Sequence, residues 1–133
     1  MEKSFNRELR TLEAIFEFVD EFIASNRLDD EVAFPLKLAV EELFTNFVRH
    51  NSGGQERIYI SLSKSDGRLV VKLKDFDVEP FDGMDAPRVD VRQSLEERKV
   101  GGLGVHLIRT LFDTLEYVYR DRTLCVTATK TLK

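Results

Sequence analysis

Leu12, Ile15, Phe16, Val19, Phe22 and Ile23 recur at the spacing of one helical face, while Glu8, Arg10, Glu17 and Asp20 can occupy the wet side. This pattern predicts an amphipathic helix of about four turns that ends near Asn26, before the Leu28-Asp29-Asp30 break. A second helix is predicted to begin at Asp29 or Asp30, both good N-caps, with Leu36, Val40, Leu43 and Phe47 as its apolar stripe. Pro35 falls inside this stripe, so the helix either kinks there or starts later than its cap signal. The turn residues Asn51-Ser52-Gly53-Gly54 should stop it.

The period then changes from helical to alternating. Ile58, Ile60 and Leu62 alternate with Tyr59, Ser61 and Ser63; beyond Ser65-Asp66-Gly67, Leu69, Val71 and Leu73 alternate with Val70, Lys72 and Lys74. Two half-buried strands joined by a tight Asp-Gly turn are the simplest reading. From Phe76 to about Gly102 the pattern fails, and prolines, glycine and charges dominate. So long an irregular stretch is usually functional or mobile, with room for helical turns near Arg92–Arg98. Order returns at Gly101-Gly102-Leu103-Gly104, which leads into a short helix carrying Val105, Ile108, Leu111 and Phe112. A last hairpin follows. Leu115, Tyr117 and Tyr119 lie in one strand and Leu124, Val126 and Ala128 in the other, with Asp121-Arg122 at the turn. Two helices, a hairpin, a helix and a hairpin predict an α+β fold: a two-layer sandwich of one mostly antiparallel mixed sheet covered on one face by helices.

Composition narrows the class. Of 133 residues, 42% are hydrophobic and 33% charged, the balance of a globular protein, and the length suits a single domain over 1–133. Ten Phe and no Trp give an aromatic core without indoles. A net charge of −4 with interspersed signs argues against nucleic acid as a direct partner. Cys125 is the single cysteine, which excludes an internal disulfide; its place in an alternating run suggests a buried, inert thiol. No apolar run approaches the ~18 residues of a membrane-spanning helix, and Met1–Arg10 is charged rather than signal-like. A cytoplasmic protein without membrane contact is expected.

Three clusters carry candidate chemistry. Glu42, Asn46 and His50 stand four residues apart on the second helix and form one polar stripe beside the apolar one. By itself such a stripe is most simply a solvated face. In a site, however, an Asn amide oxygen is a hard ligand suited to Mg²⁺, and a carboxylate one turn away can deprotonate an attacking hydroxyl. Gly101, Gly102 and Gly104 directly precede a helix, an arrangement in which backbone N–H groups can cradle phosphates; a flexible loop or a tight helix entry is the alternative. Lys74-Asp75-Phe76-Asp77 ends a strand. A buried carboxylate there can accept a hydrogen bond from an exocyclic amine and so select adenine over guanine; an acidic surface loop is the bland reading.

Taken in order, these clusters resemble the N, D and G boxes of the GHKL ATPase superfamily, whose Bergerat-type fold is shared by histidine kinases, gyrase and MutL. Ala39-Val40-Glu41-Glu42-Leu43-Phe44-Thr45-Asn46 resembles the N box, and Gly101 to Arg109 followed by Asp113 resembles the G box and its helix. Within the superfamily the chain looks like the stand-alone anti-sigma-factor serine kinases over most of its length, from Leu12 to Lys133. The resemblance implies Glu42 as general base and Asn46 as Mg²⁺ ligand. Gly101, Gly102 and Gly104, with the N–H groups of Leu103 and Val105, would hold the phosphates of ATP. Arg49 and His50 would lie at the nucleotide's edge, and residues 76–102 would form a lid. It further implies an ATP- and Mg²⁺-dependent serine/threonine kinase whose partners are a sigma factor and a STAS-type anti-sigma-factor antagonist, and it allows a homodimer.

The D box departs from the family's Asp-x-Gly, because Asp77 stands at the glycine position. An aspartate there is expected to crowd the base or to hold φ at or below zero. Anchoring instead on Pro80-Phe81-Asp82 shifts the register by one residue and puts Phe76 at the aspartate position. Asp75 is preferred as the adenine contact because it ends the strand. This departure supports a second reading: a module that kept the fold, lost efficient catalysis and regulates a protein partner by binding.

Overall fold

The computed structural model describes residues 1–50, 57–78 and 102–132. Helix α1 (Leu12–Ser25) and helix α2 (Asp30–His50) form where the apolar spacing places them. Ile15, Phe18, Val19 and Phe22 form the buried face of α1, so Phe18 replaces Phe16 in the predicted stripe. The amide of Val32 bonds the Asp29 side chain at 3.2 Å, which makes Asp29 the cap of α2. The helix runs through Pro35, which is buried, without a change of element. Near the N-terminus a proline costs a single backbone bond, and the core gains its ring.

The sheet has five strands in the order β1-β2-β3-β5-β4, and every described pairing is antiparallel. The two predicted hairpins are β2 (Ile58–Ser65) with β3 (Arg68–Asp75), and β4 (Thr114–Arg120) with β5 (Thr123–Thr131). Asp66 and Gly67 have φ of 54° and 71°, and Asp121 and Arg122 have 51° and 62°. Positive φ at both central residues matches the twist of the flanking strands and closes each hairpin tightly.

The strand at the edge, β1 (Glu2–Phe5), falls outside the sequence reading, which treated this stretch as a charged terminus. Only Phe5 of its four residues is buried, so no alternation exists to detect. Its pairing with β2 supplies what its sequence lacks, and the Phe5 ring meets Phe18 edge-on at 5.5 Å.

Across the sheet, register aligns a core row in which Ile60 faces Leu73, Leu73 faces Val126 and Tyr117 faces Val126. These side chains are buried under the helices, with Leu36, Val40, Leu43 and Phe44 of α2 among the core. Helix α2 packs on β3, on α1 and on helix α3 (Gly102–Leu111). This is the predicted α+β sandwich, consistent with a Bergerat-type fold. The expectation for Cys125 is corrected: Leu124, Val126 and Ala128 point to the core, so Cys125 lies on the opposite face and is half-buried. Among the described residues no helix is long and apolar enough to cross a membrane.

Candidate functional site

Leu69, Val71, Leu73 and Asp75 share one face of β3 by the strand's period, and all four are buried. Asp75 is therefore the last member of a core-facing row, with Leu124 opposite it on β5. Its burial follows from register rather than from its own chemistry. A carboxylate in that position needs a charged or hydrogen-bonding partner. Among the described residues Arg7, which follows β1, is such a partner. Its Nη1 donates to Asp75 Oδ2 at 3.3 Å, and its Nη2 donates to Asp75 Oδ1. Nη1 also donates to the Phe47 carbonyl on α2 at 3.2 Å. One guanidinium thus bridges the end of β3 and the last turn of α2.

Sequence reasoning missed Arg7. It lies in a stretch with no periodicity, and only the pairing of β1 carries it to Asp75.

On α2, Asn46 is 5% exposed, and its Oδ1 has no hydrogen-bond partner among the described residues. Buried amide oxygens are nearly always satisfied, so this atom is available to a ligand. Glu42, one turn earlier, is half-buried, and Arg49 is exposed. Glu42 and Asn46 thus lie at the flank of the apolar stripe rather than on a solvated face. His50 is the last residue of α2, and its side chain lies outside the described residues. Among the described residues no cluster of three or more His, Cys, Asp or Glu side chains could hold a metal ion. A Mg²⁺ ion at this site would take the Asn46 amide oxygen and complete its shell with ligands from water or phosphate, as that ion commonly does.

The D-box segment resolves one sequence question and corrects another. Strand β3 ends at Asp75, as expected. Asp77 has φ of 56°, so it adopts the conformation expected of a glycine rather than holding φ at or below zero. Aspartate is among the few residues that tolerate this region. Its carboxylate turns outward: Oδ1 accepts from Arg122 Nε at 2.8 Å, and both side chains are well exposed. The Val78 N–H donates to the Arg122 carbonyl at 2.8 Å, and the Tyr119 hydroxyl donates to the Val78 carbonyl at 2.7 Å. The hairpin turn between β4 and β5 therefore fixes the path of residues 77 and 78.

The glycine segment also shifts. Helix α3 begins at Gly102, so Gly102, Leu103, Gly104 and Val105 form its first turn instead of preceding it. The first four N–H groups of a helix lack intrahelical acceptors and carry the positive end of its dipole. Gly101, the stretch 79–101 that holds most of the expected lid, and the predicted stop at 51–54 lie outside the described residues.

Comparison with known proteins follows this geometry. Residues 5–130 match the model of the histidine kinase-like ATPase domain family. The chain is 36% identical over 101 residues to the serine-protein kinase RsbW of Listeria monocytogenes, covering 71% of this chain and 63% of that protein. It is 31% identical over 104 residues to the serine-protein kinase RsbW of Staphylococcus aureus, covering 73% of this chain and 64% of that protein. It is 24% identical over 92 residues to the sensor histidine kinase YxdK of Bacillus subtilis, covering 62% of this chain and 26% of that protein. The matched region spans just under two thirds of the two RsbW kinases. The chain belongs to the histidine kinase-like ATPase domain family.

Proposed function

We propose that this member of the histidine kinase-like ATPase family is an ATP- and Mg²⁺-dependent serine/threonine protein kinase that acts as an anti-sigma regulator. The observation that carries the reading is the buried Oδ1 of Asn46, which lies one helical turn beyond Glu42 and has no hydrogen-bond partner among the described residues. An orphaned amide oxygen beside a half-buried carboxylate is what a metal-nucleotide site requires of this helix. The similarity to serine-protein kinases over about a hundred residues supports the same reading.

In this reading the first turn of α3, Gly102 to Val105, offers N–H groups to the phosphates, with Gly101 just before it. Arg49 and His50 lie toward the nucleotide's edge, Asp75 reads the adenine amine, and residues 76–102 cover the bound nucleotide. Asp77 keeps the backbone close to the base by its positive φ while its charge is drawn to Arg122. Bound Mg²⁺ supplies charge neutralisation of the phosphates. Asn46 supplies a fixed oxygen for it, and Glu42 accepts the proton of the attacking serine or threonine hydroxyl. The substrate is a STAS-type antagonist, the alternative partner a sigma factor, and both compete for one domain in the cytoplasm. Phosphorylation adds charge at the docking surface and releases the antagonist.

A second reading is favoured by one observation: Arg7 already engages both oxygens of Asp75. A domain whose base contact is held in this way suits a binding module with weak turnover. The test is calorimetric titration with ATP, ADP and GTP, with and without Mg²⁺, followed by phosphate transfer to a STAS-domain substrate. Mg²⁺-dependent adenine-nucleotide binding with serine phosphorylation is expected. Absence of adenine-nucleotide binding at millimolar concentration rejects the kinase, and binding without transfer favours the module.

A further inference from the structure

We infer that Arg7 is the gate on base recognition. Adenine reaches Asp75 only when Arg7 releases it, so docking of the N-terminal strand segment and nucleotide binding oppose each other. This rests on the reading of Asp75 as the base contact.

The two side chains are 6% and 2% exposed, and the guanidinium engages both oxygens of the buried carboxylate. Each of its amino groups takes one carboxylate oxygen. A guanidinium forking onto a carboxylate is a charge-assisted, bidentate donor, whereas adenine's amine is a neutral donor. The amine cannot displace the fork by hydrogen bonding alone, so the nucleotide's other contacts must supply the difference.

The cost of releasing the segment that carries Arg7 lies in the buried ion pair rather than in the strand. That segment follows an edge strand of four residues in which only Phe5 is buried, and short, exposed elements open at low cost. Arg7 Nε is buried without a hydrogen-bond partner among the described residues, which weakens the docked state. Because Nη1 also bonds the Phe47 carbonyl, release removes a tie to the residue next to Asn46 on α2. Linkage makes the effect reciprocal: whatever draws the N-terminal strand away tightens nucleotide binding, and nucleotide loosens the strand.

The experiment is titration of the whole chain with Mg-ADP for wild type, Arg7→Gln and Arg7→Lys. It is paired with amide hydrogen exchange of residues 2–8 in the wild type, with and without saturating Mg-ADP. Arg7→Gln should bind at least about 5-fold more tightly, the lower end of ordinary site-to-site coupling. Arg7→Lys, which cannot fork onto both oxygens, should fall between. Exchange in residues 2–8 should quicken when nucleotide is bound. Equal or weaker binding by the variants, or unchanged or slower exchange, overturns the gate and leaves the base site standing. If neither wild type nor any variant takes up adenine nucleotide at millimolar concentration, the base-site reading fails and the gate fails with it. Should Arg7→Gln not fold, Arg7→Lys and the wild-type exchange decide the question.

Discussion

Arg7 and Asp75 lie 68 positions apart, and their two buried side chains pair with each other. The carboxylate is carried inward by the period of β3, and the guanidinium by the pairing of β1 with β2. Neither charge could stay buried alone. Asp75→Ala is expected to destabilise the fold by about 3–5 kcal/mol, the usual cost of leaving one member of a buried pair uncompensated. Replacing both, as Arg7→Met with Asp75→Leu, should cost much less than the sum of the single changes. Urea denaturation of the four-member cycle reads this directly; strictly additive losses would mean that the pair is not coupled.

Asn46 separates a ligand role from a structural one. Its buried oxygen has no partner among the described residues, and such an oxygen costs its desolvation. Asn46→Leu should therefore leave the apo-protein's stability unchanged or raise it by up to about 2 kcal/mol. The same change should abolish the Mg²⁺ dependence of nucleotide binding. A marked loss of apo stability in thermal melts would show that Asn46 has a structural partner after all.

Glu42 is half-buried, one turn before Asn46, and can lose its carboxylate without disturbing the core. Glu42→Gln should retain nucleotide affinity and slow phosphate transfer by roughly 10²–10⁴-fold, the range typical of a lost general base. Single-turnover transfer to a STAS-domain substrate measures it. Transfer at the wild-type rate would remove Glu42 from that role.

The left-handed backbone at Asp77 makes a size- and shape-dependent prediction. Asp77→Gly suits the same φ and should change stability by no more than about 1 kcal/mol. Asp77→Val places a β-branched side chain where it is strained and should destabilise by about 1–3 kcal/mol. Thermal melts of the pair test whether this backbone conformation is held by its surroundings, since Val78 stays tied to the Arg122 carbonyl in both.

Asp113 provides a pH dependence. Hydrogen bonds from the Thr131 side chain, and then from its backbone N–H, hold its carboxyl below the ordinary aspartate value of 3.8. The backbone bond is short, at 2.6 Å, and ties the end of α3 to the last strand. A lowered folded-state value means the contribution is complete above the unfolded-state value. It is lost as pH falls through the lower, folded-state one. Wild type should therefore be more stable than Asp113→Ala at neutral pH, with the gap closing below about pH 3.8. A gap that does not change between neutral and acidic melts would contradict this.

Much of the architecture was legible in local patterns. The apolar spacing of Ile15, Val19 and Phe22 required α1, and the alternation of Ile58, Ile60 and Leu62 required β2. Asp66-Gly67 closed the first hairpin because those residue types tolerate the backbone a tight turn needs. Glu42 and Asn46 were placed on one helical face by their spacing alone. These features depend on contacts within a few residues, so they are written in the chain's own periodicity.

Long-range placement was not. Nothing near Glu2–Phe5 announces a strand, because an edge strand of this length takes its conformation from hydrogen bonds to β2 rather than from its own side chains. The half-exposed Cys125, the burial of Asn46 and the outward turn of Asp77 to Arg122 depend on which face meets the helices and where one turn passes another. The sequence by itself determined the three helices, the two hairpins and the candidate residues Glu42, Asn46 and Asp75. Tertiary structure alone decided that Arg7 pairs with Asp75, because a pairing across 68 positions is set by sheet register and burial, which no local pattern encodes.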